Sequence, residues 1–116
     1  MSHYCTFFDR GYLPQGLALW RSIRRRQPAA QCWVLALDEQ TADVMRTLAS
    51  PGVHVVPLAE LLAADPPLAA AQAGRSRAEF IFSLKPCLCR HLLHACPGIG
   101  LLTYLDSDLY FLGDPA

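Results

Sequence analysis

The sequence predicts an α/β domain with an open, mostly parallel sheet and flanking helices. Three observations carry that prediction. Short apolar or β-branched runs alternate with helical stripes, in the order strand, helix, strand, helix, strand, helix, strand. The run Cys32-Trp33-Val34-Leu35-Ala36-Leu37 is apolar throughout instead of alternating, which marks a strand covered on both faces. Finally, 53% of the 116 residues are hydrophobic, 17% are charged, and the formal net charge is zero. That balance excludes a disordered chain. At this length folding buries roughly two-thirds of the chain's surface, enough for one core and hence one domain over residues 1–116.

Each element has its own signal. Tyr4-Cys5-Thr6-Phe7-Phe8 reads as the first strand, stopped by the turn residues Asp9-Arg10-Gly11. Leu13, Gly16, Leu17, Trp20 and Ile23 recur at three and four residues, one helical stripe, with Pro14 suited to its first turn. Arg21, Arg24, Arg25 and Arg26 read as a solvated face and last turn that complement the helix dipole, in preference to a phosphate-binding patch. The second strand ends at Asp38-Glu39. A helix carrying Ala42, Val44, Met45 and Leu48 follows and stops before Ser50-Pro51-Gly52. Val53-His54-Val55-Val56 is a third strand, in which His54 reads as structural. Leu58 to Leu62 forms a short helix that Asp65-Pro66-Pro67 ends. A long helical pattern from about residue 76 to 95 contains Pro86, which calls for a kink or a division into two helices. Pro97-Gly98 closes it, and Leu101 to Leu105 is the fourth strand.

Several functional classes are excluded or disfavoured at this level. Balanced charge gives no general attraction to nucleic acid or acidic membranes. No apolar stretch is long enough to span a bilayer, because residues 58–74 are broken by Glu60, Asp65, Pro66 and Pro67. The first residues lack the pattern of a signal peptide, so a cytoplasmic location is the expectation. Five cysteines, an odd number, argue against a disulfide framework, and Cys5 and Cys32 read as small buried hydrophobes. In Cys87-Leu88-Cys89-Arg90-His91-Leu92-Leu93-His94-Ala95-Cys96, a turn of about 100° per residue puts Cys87, His91 and His94 on one helix face and Cys89 and Cys96 opposite. Four zinc ligands do not converge from such an arrangement; a three-ligand site is conceivable, but buried cysteines and helix-surface histidines are the favoured reading.

The sharpest chemical feature is Asp106-Ser107-Asp108, directly after the fourth strand. Two carboxylates this close repel, and a largely buried setting makes the conflict costly. A hard divalent cation resolves it, since Mg²⁺ or Mn²⁺ prefers oxygen ligands and bridges carboxylates to phosphates. The bland alternative is a solvated turn in which Asp106 caps nearby amides. Ligands of open α/β sheets bind beyond the carboxyl ends of the strands, near the switch in strand order. The ends after Phe8 and Leu105 are therefore where a site is expected.

With these residues in view, the chain resembles the nucleotide-sugar-dependent glycosyltransferases of the Rossmann-like GT-A fold, especially the glycogenin-like and lipopolysaccharide-galactosyltransferase-like group. Thr6 to Pro14 looks like that family's first strand and nucleobase loop, Leu17 to Ile23 like the next helix, and Trp33 to Asp38 like the second strand. Tyr104-Leu105-Asp106-Ser107-Asp108-Leu109 matches its metal-binding Asp-x-Asp motif. The resemblance implies that Asp106 and Asp108 contact Mn²⁺ or Mg²⁺ holding the diphosphate of a UDP-sugar, with Ser107 between them. It implies that Phe7 and Asp9 lie near base and ribose and that Tyr12 stacks on uracil. Arg77 and Lys85 would offer positive charge to the diphosphate. The reaction implied is transfer of a hexose to the hydroxyl of an unidentified acceptor, with retention, and the residues name no catalytic nucleophile.

Members of that group continue past the point where this sequence ends, and a later histidine completes their metal site. All four histidines here precede Asp106. The expectation is therefore an incomplete GT-A fold, a truncated product or one segment of a split enzyme. Its exposed sheet edge would be open to a second copy or a partner chain. Two rival readings are a non-catalytic, partner-binding remnant and a haloacid-dehalogenase-type phosphatase. The latter also places Asp-x-Asp after an apolar strand, but usually near the start of its chain.

Overall fold

The computed structural model describes residues 2–48 and 50–107. The chain runs β1 (His3–Phe8), a 3₁₀ turn (Arg10–Tyr12), α1 (Leu13–Arg26), β2 (Gln31–Ala36), α2 (Glu39–Leu48) and β3 (Val53–Pro57). It continues through α3 (Leu58–Ala64), α4 (Pro66–Gly74), α5 (Arg77–Ala95) and β4 (Leu102–Tyr104). The described strands form one sheet in the order β3-β2-β1-β4, and every pairing is parallel. The register sets Cys5 beside Trp33 and Tyr104, and Trp33 beside His54.

Both faces of the sheet are covered, as the unbroken apolar run of β2 requires. Tyr4, Phe8, Cys32 and Val34 pack against Leu19, Trp20 and Ile23 of α1 and Met45 of α2. The intervening residues Cys5 and Leu35 turn the other way, with Val56 of β3, onto Leu61 of α3, Leu68 of α4, and Phe80, Leu84, Leu88 and Leu92 of α5. Alternation along each strand thus divides the apolar side chains between two cores.

Two glycines are fixed by close approach. Gly52, at φ 84°, turns the chain into β3 where a Cβ would lie 2.7 Å from the Ala30 carbonyl oxygen. At Gly16 a Cβ would come within 2.3 Å of the Phe8 ring, so its absence lets α1 lie against the end of β1.

Two local expectations change. Asp65-Pro66-Pro67 ends α3 but also starts α4, because the Asp65 carboxylate accepts from the Leu68 amide at 3.2 Å and both prolines sit in the first turn. There their missing N–H groups cost no helical hydrogen bond. Across Pro86, α5 continues as one helix of 19 residues. The division into two helices therefore does not occur, and four apolar side chains, Phe80, Leu84, Leu88 and Leu92, form a buried stripe on both sides of the proline. His54 stacks on Trp33 with ring centroids 4.6 Å apart and contacts the Gln31 carboxamide at 2.7 Å, a packing role. Arg21 and the last-turn residues Arg24, Arg25 and Arg26 are exposed on α1.

Candidate functional site

In this sheet β2 and β3 extend to one side of β1 while β4 lies on the other, so strand order switches between β1 and β4. Beyond the carboxyl ends of those two strands lies a cleft of about 630 Å³. Phe7, Asp9 and Tyr12 line it from β1 and the following turn, Arg77 and Lys85 from α5, and Asp106 and Ser107 from the segment after β4. The parallel pairing of β1 with β4, extended by the Leu105 amide donating to the Cys5 carbonyl at 2.9 Å, brings these distant residues together.

Asp9 organises the first wall. One of its oxygens accepts from the Gly11 amide at 2.9 Å, and its carbonyl accepts from the Tyr12 amide at 3.1 Å. The other carboxylate oxygen lies 3.6 Å from the Arg77 guanidinium, linking the turn to α5. Arg77 is largely exposed, so this pair contributes at most about 1 kcal/mol. Tyr12 stands exposed at the cleft, its ring available to a flat partner.

The same wall is fastened to β2 through Asp38, whose two oxygens accept from the Arg10 amide at 3.0 Å and the Thr41 amide at 2.7 Å. Burial acts to raise the Asp38 carboxyl, but hydrogen bonds from Thr41 and Arg10, with the Arg10 charge, outweigh it and hold the group below the usual carboxylate range. The Leu37 amide adds a bond to the Phe8 carbonyl at 3.2 Å.

On the α5 side, the Lys85 ammonium sits 4.6 Å from the centroid of the Tyr104 ring, and Phe7 packs on the same ring at 5.7 Å. The Tyr104 hydroxyl is pushed well above its ordinary pKa by burial and then by the neighbouring Asp106 charge, so it stays neutral at physiological pH. Asp106 is exposed at the rim, unlike the buried setting its strand context predicts. Asp108, its partner in the motif, lies outside the described residues. Among the described residues, no group of three or more His, Cys, Asp or Glu side chains could hold a metal ion.

Sequence reasoning did not single out Leu37, Ile81, Phe82 and Tyr104, which also line the cleft. Tyr104 was within reach, because it ends the fourth strand just before the Asp106 turn at the carboxyl edge of the sheet. Phe82, 82% exposed, had no such signal, since an apolar residue off the buried stripe of a helix looks like any surface position.

The other chemistry-bearing cluster is dispersed. Cys87, His91 and His94 line a second cleft of about 490 Å³ beside Asp65 and Arg90. Arg90 pairs with Asp65 at 2.7 Å, and His91 lies 3.6 Å from Glu60. Cys89 faces the sheet instead, its sulfur 3.8 Å from that of Cys5. All five cysteines are free.

No known family profile matches the chain. It is 30% identical over 115 residues to an uncharacterized protein, YfnF, of Bacillus subtilis (strain 168), an alignment covering 99% of this chain and 37% of that protein. It is 25% identical over 114 residues to a second uncharacterized protein of the same organism, YfnD, covering 98% of this chain and 36% of the relative. What the comparisons establish is similarity to two longer bacterial proteins, of whose length this chain spans little more than a third.

Proposed function

We propose that this chain is the nucleotide-sugar-binding part of a metal-dependent, GT-A-type glycosyltransferase with a Rossmann-like sheet. The observation that carries the reading is the cleft at the switch in strand order. It joins an aromatic and acidic turn after β1, two cations on α5 and a carboxylate after β4. A nucleoside diphosphate sugar, UDP-sugar first, has the matching parts: a flat base for Tyr12, hydroxyls for Asp9 and Ser107, and a diphosphate for Arg77 and Lys85.

The donor chemistry fits Mn²⁺ or Mg²⁺. Asp106 presents a hard carboxylate oxygen at the rim of a solvent-open cleft, and such ions are often held by one or two carboxylates plus substrate phosphates and water. Asp106, with Asp108 from the motif, would hold the ion. When bound, it supplies Lewis-acid stabilisation of charge on the departing diphosphate. The protein's own groups do the rest. Arg77 and Lys85 add positive charge beside the diphosphate, Asp9 and Ser107 hydrogen-bond the donor, and the turn fixed by Asp38 orients Tyr12. The acceptor hydroxyl and any covering partner chain belong to the whole protein. A cytoplasmic setting goes with this reading, in keeping with the absence, among the described residues, of any helix long and apolar enough to cross a membrane.

Isothermal titration of the chain with UDP, with and without Mn²⁺, tests the reading. Binding that requires Mn²⁺ and disappears in Asp106→Asn is the expected result. No metal-dependent binding in the wild-type chain would favour a non-catalytic, partner-binding module instead. Phosphate release from a generic phosphoester, lost with Asp106→Asn, would favour a phosphatase.

A further inference from the structure

We infer that Tyr104 is a positioning residue whose ring holds the ammonium of Lys85 at the cleft for an oxyanion of the bound ligand. The inference rests on the donor-site reading for the identity of that oxyanion; the Tyr104–Lys85 contact stands on geometry alone. Lys85 is exposed on α5, and a four-carbon stem at such a position ordinarily samples many rotamers. Among the described residues it forms no ion pair. Its ammonium instead lies 4.6 Å from the Tyr104 ring centroid, within the range of a cation–π contact.

The ring itself is fixed. Tyr104 pairs with Cys5 across the β1–β4 ladder, packs on Phe7 at 5.7 Å, and is half-buried against the core beneath α5. An aromatic face attracts the cation without neutralising it as a carboxylate would, so the full positive charge stays available to a ligand. Lys85 and Asp106, the latter two residues after Tyr104, line the one cleft. A carboxylate at position 104 would compete with the ligand for Lys85; an aliphatic residue would leave the ammonium to wander.

Lys85 is the chain's single lysine, so lysine labelled with ¹³C gives one side-chain signal. In the wild-type chain that signal should be displaced by the Tyr104 ring current. Tyr104→Phe, which keeps the ring, should preserve the displacement, and Tyr104→Leu should abolish it. UDP affinity in Mn²⁺ should follow the same order: weakened about three- to tenfold in Tyr104→Leu, and by clearly less in Tyr104→Phe, which keeps the ring and loses only the hydroxyl beside Asp106. In a Lys85→Met background, Tyr104→Leu should add little further loss. An undisplaced lysine signal in the wild-type chain would overturn the inference whatever UDP does. So would affinity in Tyr104→Leu equal to wild type while Lys85→Met weakens binding. A displaced lysine signal in a chain that binds no UDP would overturn the donor-site reading, and with it the ligand assigned to Lys85, while leaving the contact established.

Discussion

Replacing Asp38 by alanine removes two hydrogen bonds from one carboxylate, and their geometry sets the size of the effect. The bond from the Thr41 amide at 2.7 Å caps the start of α2, and losing an aspartate cap costs about 1 kcal/mol. The bond from the Arg10 amide at 3.0 Å closes the turn that carries Asp9 and Tyr12; that amide is exposed and turns to water when released, so its net loss is about 0.5–1 kcal/mol. The sum is about 1.5–2 kcal/mol. With an unfolding entropy of about 2.1 cal/mol/K per residue, 116 residues give a fall in Tm of about 6–8 °C, read by circular dichroism. Asparagine retains one acceptor and should lose about half as much. The folded-state pKa of Asp38 is depressed, so its stabilisation is present above the unfolded value near 3.9 and is lost as pH falls through the lower folded value. The wild-type-to-alanine difference should therefore be full at pH 7 and shrink below about pH 4. A difference as large at pH 3 as at pH 7 would refute the role of the charged carboxylate. Unchanged amide exchange at Arg10 in the alanine variant would refute the fastening of the turn.

Two further outcomes are expected. Gly16→Ala gains about 1 kcal/mol in helix propensity but drives a Cβ to 2.3 Å from the Phe8 ring, an overpacking cost of about 1–3 kcal/mol. The net loss should appear as a lower urea midpoint with an unchanged slope. Burial pushes the Cys32 thiol up to about 12, and burial, with Cys89 close by, raises Cys5 as well. Under iodoacetamide at pH 8, mass spectrometry of the native chain should find both unmodified while Cys96, partly exposed, is alkylated; in urea all five should react.

The architecture was largely legible because its signals are local and strong. Cys32 to Leu37 is apolar throughout, as a strand covered on both sides is, and Tyr4 to Phe8 is a short β-branched and aromatic run that stops at turn residues. α4 was not legible, since Pro66-Pro67 stops one helix and starts another with the same two residues, and only the Asp65 cap decides. At Pro86 the sequence left a kink and a division open; the helix is not divided, because the apolar stripe from Phe80 to Leu92 outweighs one missing amide. In the cleft, the residues next to strand ends were within reach of sequence reasoning because topology places all strand ends on one side. The partnerships were not. Nothing in the sequence pairs Asp9 with Arg77, or Lys85 with Tyr104, because those contacts depend on the angle at which α5 crosses the sheet.

The pairing of His3 with Leu102 has a consequence for biosynthesis. β1 lies inside the described sheet, and its second neighbour, β4, is made only after β2, β3 and the helices through α5. Until then one side of His3–Phe8 presents unpaired amides and carbonyls, and the apolar underside of α5 has only part of its seat. Slowing translation between α5 and β4 should lengthen that exposure and increase chaperone capture of the nascent chain.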